Sequence, residues 1–416
     1  MTSRERILAA LNHREPDRVP VDLAGHGSSG IAPLAYARLR RALGLKEVTL
    51  RIFDPVQQLA VMHDDLLDVL GIDTIQLGQG FALDDKDWVD WRLRDGTPCQ
   101  MPFWAVPQRG EGEWLLRTPN GLAIGKMPDG GFYFSQCNWP LFDATDDRPL
   151  EDAMRECLWT AIPSPPGPFA ADMGTFTAGA RRLRERTDRA ILGVFGGSLF
   201  ETGQHLYRMD RFLEMLAGEP LRAHAFLDRL LEIHLSRLER FLKAVGPYID
   251  IIVFGDDLGG QNSPLMSPKM FREFFKPRHS QLFRRAKELA DVKVMMHCCG
   301  AVRPLLRDLI EAGIDAINPV QISCRGMDAA ELKREFGRDL TLWGGGCDTQ
   351  SILPTTTPEA VQEHVLRQVS ILAPGGGFVF QQVHNIQTDV PPENILAMYD
   401  AIKSMHGTET TAQGVR

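Results

Sequence analysis

The chain of 416 residues lacks the features that mark a membrane protein or a nucleic-acid-binding protein. No apolar run approaches the roughly 20 residues that a membrane-spanning helix needs. The N-terminal segment Met-Thr-Ser-Arg-Glu-Arg-Ile begins an amphipathic helix pattern and has no apolar core of a secretion signal. Lysine and arginine form no clustered stripe, and the formal net charge of −8 disfavours a polyanionic partner. We therefore predict a cytoplasmic protein that binds neither membrane nor nucleic acid.

Cysteine is scarce, and its number is odd, since the chain has seven. Seven cysteines scattered over a long chain do not predict a disulfide framework, and in a reducing compartment they are thiols or metal ligands. Four of them lie away from strand ends and are interpreted as structural: Cys99, Cys137, Cys157 and Cys324. The candidates for chemistry are the other three, Cys298, Cys299 and Cys347.

With 44% hydrophobic residues the chain can bury a large core, and strand and helix patterns alternate along most of it. Short apolar strand patterns occupy residues 19–23, 71–77, 190–195, 250–254, 292–296, 315–320, 340–343 and 377–380. Helical patterns fall near residues 3–12, 33–43, 56–70, 170–187, 201–245, 268–290, 302–312, 328–336, 358–372 and 392–404. Eight such units favour an α/β fold, a closed (β/α)8 TIM barrel, with an open doubly wound sheet as the alternative. We expect one barrel domain over residues 1–406 and a disordered tail over 407–416.

Residues 84–140 interrupt this alternation. Alternating residues are separated there by Asp-Gly and Asn-Gly turns, as in Arg94-Asp-Gly-Thr97 and Pro119-Asn-Gly-Leu122. These dipeptides favour the tight turns of β-hairpins. We predict a β-hairpin insertion that caps the barrel or acts as a lid, because no linker-like stretch separates it as a domain of its own.

The stretch Val292-Lys-Val-Met-Met-His-Cys-Cys-Gly300 ends a buried strand with a histidine and two cysteines. Side chains two apart on a strand share a face, so His297 and Cys299 can bind one ion while Cys298 faces the other way. His-x-Cys at a strand end is a plausible half of a zinc site, which needs three protein ligands for catalysis or four for structure. The alternative is a buried strand whose cysteines pack as small apolar residues and whose histidine is hydrogen-bonded.

In a (β/α)8 barrel the loops after the strands form the active site, so polar residues after the other strands are candidates as well. They are Glu201 after the third strand, Asp256 and Asp257 after the fourth, Cys347 after the seventh and His384 after the eighth. Cys347 follows three glycines, which let a backbone approach a ligand closely, and either aspartate could be an acid/base or a substrate anchor. The alternatives are a packed thiol for Cys347, a helix cap for the aspartates, a favourable helix dipole for Glu201 and an ordinary loop histidine for His384.

Five motifs in this order resemble the uroporphyrinogen decarboxylase superfamily, over nearly the whole chain. They are Asp17-Arg-Val-Pro-Val21, Gly255-Asp-Asp-Leu-Gly259, Ser267-Pro-Lys-Met-Phe-Arg-Glu-Phe-Phe-Lys-Pro-Arg278, His297-Cys-Cys-Gly300 and Val390-Pro-Pro-Glu-Asn394. The resemblance implies a (β/α)8 barrel. The decarboxylases carry an arginine-rich Met-Arg-Gln-Ala-Gly-Arg segment after the first strand, which binds the carboxylates of their substrate. The matching stretch here, Asp22-Leu-Ala-Gly-His-Gly-Ser-Ser-Gly30, has no arginine, the side chain suited to bidentate carboxylate binding.

The other branch of the superfamily comprises zinc-dependent, corrinoid-linked methyltransferases, and resemblance to it implies a metal site. Its members carry His-x-Cys at the fifth strand, which matches His297 and Cys299, and a third ligand, a cysteine, in the loop of the last strand. In this chain that position falls on His384. The resemblance therefore leaves two candidates for the third ligand, His384 itself or Cys347 from the neighbouring strand end, with Glu201 as a candidate fourth ligand.

From this resemblance we predict a zinc-dependent methyltransferase that moves a methyl group between methylcobalamin or another corrinoid and a small acceptor, such as a thiol or tetrahydrofolate, in a demethylation system. The predicted residues are His297, Cys299 and Cys347 for the metal, Asp257 and Glu201 for catalysis, and His384 and Asp256 for cofactor binding. The corrinoid is expected on a partner protein, since the chain has no Asp-x-His-x-x-Gly corrinoid motif. A homodimer is an expectation at family level.

Two alternatives stay open. The first is a metal-free decarboxylase or lyase, acting on a small carboxylate or a tetrapyrrole, in which Asp257 and His384 are acid/base partners. The second is a corrinoid- or ligand-binding protein without turnover.

Overall fold

The computed structural model describes residues 1–78, 84–143, 149–161 and 173–406, and its centre is a parallel β-sheet. Seven strands follow one another in the sheet in chain order: Thr74–Gln76, Ala190–Gly196, Ile251–Gly255, Lys293–His297, Ala316–Asn318, Thr341–Trp343 and Phe378–Val379. Neighbouring strands are parallel throughout, so each pair needs a crossover connection. We number them as the second to eighth barrel strands, because residues 20–22 provide the first.

Residues 20–22 close the sheet into a barrel. The backbone N–H of Asp22 donates to the carbonyl of Phe380 at 2.8 Å, and Val21 forms a parallel bridge with Phe380. On the other side, the N–H of Asp73 donates to the carbonyl of Val21, also at 2.8 Å. This segment thus joins the eighth strand to the second. The predicted (β/α)8 barrel is confirmed, and the alternative of an open sheet is wrong, because both edges of the sheet are hydrogen-bonded to the same segment.

Helices surround the sheet. The α-helices are Ser3–Leu11, Pro33–Ala42, Asp64–Leu70, Leu150–Met154, Leu158–Ala161, Met173–Arg186, Phe200–Tyr207, Met209–Gly218, Pro220–Val245, Pro268–Met270, Lys276–Leu289, Arg303–Ala312, Ala329–Phe336, Pro358–Leu372 and Pro392–His406. Short 3-10 helices occupy Gly27–Ser29, Asp85–Asp87, Phe103–Ala105 and Gly246–Tyr248, and a π-helical turn spans Phe271–Phe275. Within the described residues, no helix combines the length and the apolar content needed to cross a bilayer. The predicted disordered tail, 407–416, lies outside the described residues.

The helix predicted at residues 56–70 is wrong in its first half. A hairpin of Ile52–Asp54 and Leu59–Ala60 stands there instead, and the helix begins only at Asp64. The Asp54 carboxylate accepts two backbone N–H groups of the connecting turn at 2.9 Å each. Aspartate side chains stabilise turns in this way, and the bonds compete with helix formation.

The long helical pattern at residues 201–245 divides into three helices. The first break lies at Arg208, whose φ of 69° is in the left-handed region. The second lies before Pro220, which begins the third helix and cannot donate a backbone hydrogen bond to the preceding one. The apolar periodicity continues through both breaks, so periodicity alone did not reveal them.

Apolar side chains fill the barrel, and the N-terminal helix Ser3–Leu11 packs against this interior core. Inward-facing residues such as Leu192, Val253 and Met295 form one cluster with Ile7 from this helix. Residues at the alternate positions face the surrounding helices and belong to the larger outer core. Because alternate residues face the barrel interior and the helices, both faces of each strand are buried. This is why short, almost wholly apolar strand patterns indicated a parallel barrel.

The predicted hairpins between residues 84 and 140 are confirmed. Trp88–Arg92 pairs with Pro98–Pro102, and a four-stranded antiparallel sheet follows, made of Gln108–Arg109, Glu113–Arg117, Ala123–Pro128 and Ser135–Gln136. Leu116, Ile124 and Phe134 form a small core of their own, and Val56 and Leu158 from outside the insertion pack into it. The insertion is therefore attached to the barrel frame through a shared core.

Candidate metal centre and its cavity

Three side chains with metal-binding atoms meet at the carboxyl ends of the barrel strands: His297, Cys299 and His384. One ligand atom of each lies within 4.8 Å of the other two, and no other such group of His, Cys, Asp or Glu occurs in the part of the chain that the structure describes. The Cys299 Sγ and His297 Nε2 atoms are 3.4 Å apart, close to the about 3.5 Å between two ligands of a tetrahedral zinc ion. Two nitrogens and one sulfur suit zinc, and three protein ligands leave a fourth position open for substrate.

Asn318 determines which ring nitrogen of His297 faces the cluster. The Asn318 Nδ2 atom donates to the Trp343 carbonyl at 3.1 Å and to Gln381 Oε1 at 2.7 Å, so Oδ1 is the atom that faces His297. This oxygen lies 2.9 Å from His297 Nδ1, which therefore carries the proton and donates it. The Nε2 atom keeps its lone pair and points it at the cluster, as a metal ligand requires.

Ser28 and His26 extend this network away from the cluster. The Ser28 Oγ atom lies 2.9 Å from His297 Nδ1 and 3.0 Å from His26 Nδ1. Because His297 Nδ1 is protonated, the Ser28 hydroxyl donates to His26, whose Nε2–H then faces Gln381 Oε1 at 3.3 Å. Burial, followed by the neighbouring His297, lowers the pKa of His26 to about 3, so the His26 ring is uncharged.

The Cys299 thiol stands among acidic groups. The Asp257 carboxylate accepts the Cys299 backbone N–H at 2.7 Å and lies 3.6 Å from His297 Nε2. Burial, and then the charges of Asp257, Cys298 and Glu201, raise the pKa of Cys299 well above its usual range. A divalent ion would offset both the burial and the negative surroundings and would favour the thiolate. The residues therefore fit zinc in their donor atoms and in their charge.

The loop after the eighth strand carries His384, and two other segments hold this loop. The backbone N–H of Gly30 donates to Asn385 Oδ1 at 3.0 Å, and Gln387 donates to the hydroxyl of Tyr133, which belongs to the hairpin insertion. Burial lowers the pKa of His384 to about 4. The ring is therefore neutral at neutral pH, which is the form that binds metals.

The Cys298 thiol faces away from the metal cluster, as the alternation of side chains along a strand predicted. Cys298 is fully buried, and its Sγ atom accepts the backbone N–H of Leu258 at 3.3 Å. It faces away from the cluster, while His297 and Cys299 share the opposite face, as the two-residue period predicted.

Cys347, one of the two candidates for the third ligand, does not belong to the cluster. Its side chain is fully buried, and its thiol donates to the carbonyl of Asp348 at 3.9 Å. Gly346, which precedes Cys347, allows close packing inside the protein and not the approach of a ligand, because a Cβ atom there would lie 2.3 Å from the ring of Phe380. Among the described residues His384, and not Cys347, therefore lies with His297 and Cys299.

Asp256, predicted to bind a cofactor, has the position of a helix cap. Its fully buried carboxylate accepts three backbone N–H groups at the start of helix Phe200–Tyr207, at 2.8 to 3.1 Å. The His279 Nε2 atom lies 3.0 Å from the same carboxylate. These partners use both oxygens, so the structure supports the structural alternative for Asp256 over a role in cofactor binding.

Glu201 and Asp257, the predicted catalytic residues, line a common cavity with His297 and His384. Glu201 lies outside the group of three ligand atoms, which does not support it as a fourth ligand. Burial, and then repulsion by Asp257 and Asp256, raise the pKa of Glu201 well above its usual value, which favours a protonated carboxyl group.

The cavity has a volume of about 500 Å³, in the range of small-molecule sites. Two residues of the metal cluster, His297 and His384, line it together with the carboxylates of Asp257 and Glu201. The lining also includes aromatic residues, two further histidines and an arginine: Trp159, Phe176, Phe195, His205, His234 and Arg237. The space therefore suits one small substrate whose reacting end reaches the cluster.

Several residues of this site were not predicted from the sequence. Asn318 ends the sixth strand, so the rule that polar residues after barrel strands form the site could have identified it. His234 and Arg237 lie within helix Pro220–Val245. No local pattern distinguishes a helical residue that lines a cavity from one on an ordinary packed face.

The fold and the cluster define a class of protein, a (β/α)8 barrel with a candidate catalytic metal centre at the carboxyl ends of its strands. Residues 160–405 match the family model described as "Uroporphyrinogen decarboxylase (URO-D)". This range is more than half of the chain, and the chain belongs to that family.

Individual relatives agree with this assignment. The chain is 25% identical over 296 residues to the uroporphyrinogen decarboxylase of Legionella pneumophila (strain Corby), which covers 69% of this chain and 76% of that protein. It is 26% identical over 300 residues to the enzyme of the same name from Psychromonas ingrahamii, with 70% and 77% covered. A methyltransferase from Methanosarcina mazei matches with a TM-score of 0.59 and 17% identity, over 98% of this chain and 99% of that chain. This last likeness shows a shared fold.

Proposed function

We propose that the protein is a zinc-dependent methyltransferase that moves a methyl group between a corrinoid on a partner protein and a small acceptor, such as a thiol or tetrahydrofolate, within a demethylation system. The observation that carries the proposal is the meeting of His297, Cys299 and His384, because two of these residues, His297 and His384, also line a cavity of substrate size. The fold shared with a protein named as a methyltransferase supports the same class of reaction.

The chain's own residues prepare the ligand set before a metal binds. Asn318 keeps the proton of His297 on Nδ1, so Nε2 is free to bind, and burial keeps His384 neutral by lowering its pKa to about 4. Cys299 has to lose its proton, which the ion's charge favours. Bound Zn²⁺ would supply a lowered pKa for a thiol acceptor, and so a thiolate nucleophile at neutral pH, or a Lewis acid for a pterin.

Transfer to a thiol requires little more than positioning. The carbon–sulfur bond forms as the carbon–cobalt bond of the methyl donor breaks, and the bonding pair stays on the cobalt. The thiol proton has left before this step, so no proton moves during it. Glu201, whose pKa is raised, can donate a hydrogen bond into the cavity without adding a negative charge next to the acceptor.

A metal-free decarboxylase or lyase is the second candidate. Curated relatives are named uroporphyrinogen decarboxylase, and Asp257 and His384 both line the cavity, as an acid/base pair would. A tetrapyrrole with many carboxylates would meet few counter-charges, because Arg237 is the only lysine or arginine among the described residues that line this space. A smaller carboxylate fits this second candidate better.

Metal analysis and a methyl-transfer assay test the proposal together. The protein purified without chelator should contain about one zinc per chain, and should convert methylcobalamin in the presence of a thiol. Chelation should abolish the conversion, and added Zn²⁺ should restore it. Far less than one zinc per chain, after incubation with a zinc salt as well, would contradict the proposal.

A further inference from the structure

The side-chain amide of Gln76 is part of the cavity wall. Gln76 ends the second barrel strand, lines the cavity and is only 2% exposed. Its Oε1 atom is buried and accepts no hydrogen bond from any described residue. Buried polar atoms in proteins are nearly always paired, because a buried acceptor without a donor costs free energy. The unpaired oxygen of Gln76 therefore needs an explanation.

Other polar residues of the cavity lining are paired. Gln57 donates to the Asp54 carboxylate at 2.9 Å and accepts from Asn385 at 3.0 Å. The Ser28 hydroxyl lies 3.0 Å from His26 Nδ1. These side chains hold the wall of the cavity together, whereas the oxygen of Gln76 takes no part in such a network.

The second strand directs Gln76 into the barrel. Two residues earlier, the Thr74 hydroxyl donates to the fully buried Asp22 carboxylate at 2.6 Å. The same carboxylate accepts the indole N–H of Trp343, which belongs to the core inside the barrel. Side chains two apart on a strand share a face, so Gln76 also faces the barrel interior. Because it lies nearer the carboxyl end of the strand, it meets the cavity and not the core.

The chemistry of the amide limits what can bind to it. Its oxygen needs an O–H or N–H donor, which a carboxylate or an ether oxygen cannot supply. The amide has no charge, so it could not offset the cost of burying a charged group next to it. The partner that fits is therefore an uncharged group with its own donor.

We propose that Gln76 is a substrate-binding residue, and that the substrate carries an uncharged group with an O–H or N–H donor, such as a hydroxyl or a carboxamide. Only the identification of the bound molecule as a substrate rests on the proposed function. The hydrogen bond itself stands on the burial of Gln76 and on its place in the cavity wall.

Phenol and toluene provide a test, because they share a ring and are close in size, and only phenol has an O–H donor. Ligand-observed NMR titrations would measure both dissociation constants on the zinc-loaded and the chelator-treated protein. Gln76→Met removes the amide at similar length, and Gln76→Glu keeps an acceptor oxygen. Gln368→Met is the matched control. Gln368 is 5% exposed and also has a buried oxygen without a donor, but it lies in helix Pro358–Leu372 and does not line the cavity.

We expect the ratio of the toluene to the phenol dissociation constant to fall at least about fivefold in Gln76→Met, with or without zinc. Gln76→Glu should keep most of the native ratio, and Gln368→Met should keep all of it. An unchanged ratio in Gln76→Met, an equal fall in Gln368→Met, or no binding of phenol to the native protein at millimolar concentration would each overturn the proposal.

Thermal unfolding separates a binding role from a structural one. Gln76→Met removes an oxygen that has no donor, so the unfolding temperature should stay the same or rise, as in Gln368→Met. A clear fall in Gln76→Met alone would show that the amide stabilises the fold and would overturn the proposal. A protein that binds no zinc but distinguishes phenol from toluene through Gln76 would refute the proposed function and leave the role of Gln76 standing.

Discussion

The Oδ1 atom of Asn318 lies 2.9 Å from the Nδ1 atom of His297, and the two residues are register partners on adjacent barrel strands. Rotating the Asn318 amide would break its bonds to the Trp343 carbonyl and to Gln381. Strand pairing thereby holds the His297 ring in the orientation that the proposed metal site requires.

Asn318→Ala should weaken zinc binding about 10- to 100-fold, because His297 loses the acceptor that holds its Nδ1 proton. Competition with a chromophoric chelator measures this affinity. Asn394→Ala is the matched control, since Asn394 is equally buried and donates to two backbone carbonyls at 2.8 Å each. Both variants should lose stability, and only the first should lose zinc affinity. Equal affinities in the two variants would show that Asn318 does not orient the ligand.

His384→Ala and Cys347→Ala distinguish the two candidates for the third ligand. His384→Ala should lower the zinc content well below that of the native protein, because it removes one of the three clustered donors. Cys347→Ala should keep the zinc content and lower the free energy of unfolding by about 1 kcal/mol, since it only shortens a buried side chain. Mass-spectrometric metal analysis of both variants decides, and the reverse pattern would make Cys347 the ligand.

Asp256→Ala should lower the free energy of unfolding by about 3 kcal/mol, because three backbone N–H groups and His279 lose a buried acceptor. Asp328→Ala provides a comparison, since Asp328 caps helix Ala329–Phe336 through one backbone bond at 3.0 Å. That change should cost about 1 kcal/mol. Urea unfolding measures both values. If Asp256→Ala lost zinc without losing stability, this result would contradict the helix-cap role and support a role of Asp256 in the binding site.

Stability should fall as the pH falls below the ordinary pKa of histidine, in part because of His234. Burial lowers its pKa from 6.5 to about 4, so between these values the unfolded chain binds a proton that the folded chain does not. This contribution is present above pH 6.5 and is lost as the pH falls towards 4. In His234→Gln the free energy of unfolding should fall less between about pH 7 and about pH 5, by about 1 to 2 kcal/mol. Parallel urea-unfolding profiles of the variant and the native protein would contradict this.

The barrel could be predicted because the apolar content of each strand's sequence indicates whether one or both of its faces are buried. The third strand, Ala190–Gly196, is apolar at nearly every position, as a strand covered on both faces must be. The helix boundaries were harder to predict from the sequence, because Arg208 interrupts a continuous apolar pattern by its backbone conformation alone. The turn stabilised by Asp54 was missed for a similar reason, since a side chain that bonds to its own backbone competes with the helical pattern.

The cluster could be predicted only in part. His297 and Cys299 share a strand face whatever the rest of the chain does, because the side-chain period of a strand is two. Asp256 and Asp257 are neighbours in the sequence, yet one caps a helix inside the protein and the other lines the cavity. Which neighbour faces which way depends on the path of the loop, and this path depends on contacts with distant segments.

By itself the sequence determined the type of sheet, the hairpin insertion and the pair His297 and Cys299, because these follow from local periodicity and turn chemistry. Only the tertiary structure showed that His384, and not Cys347, lies next to His297 and Cys299, since both residues follow barrel strands and differ in where their loops pack. Closure of the barrel brings the loop of the last strand to the fifth strand. It also brings the fully buried Cys347 into a parallel bridge with Gln382.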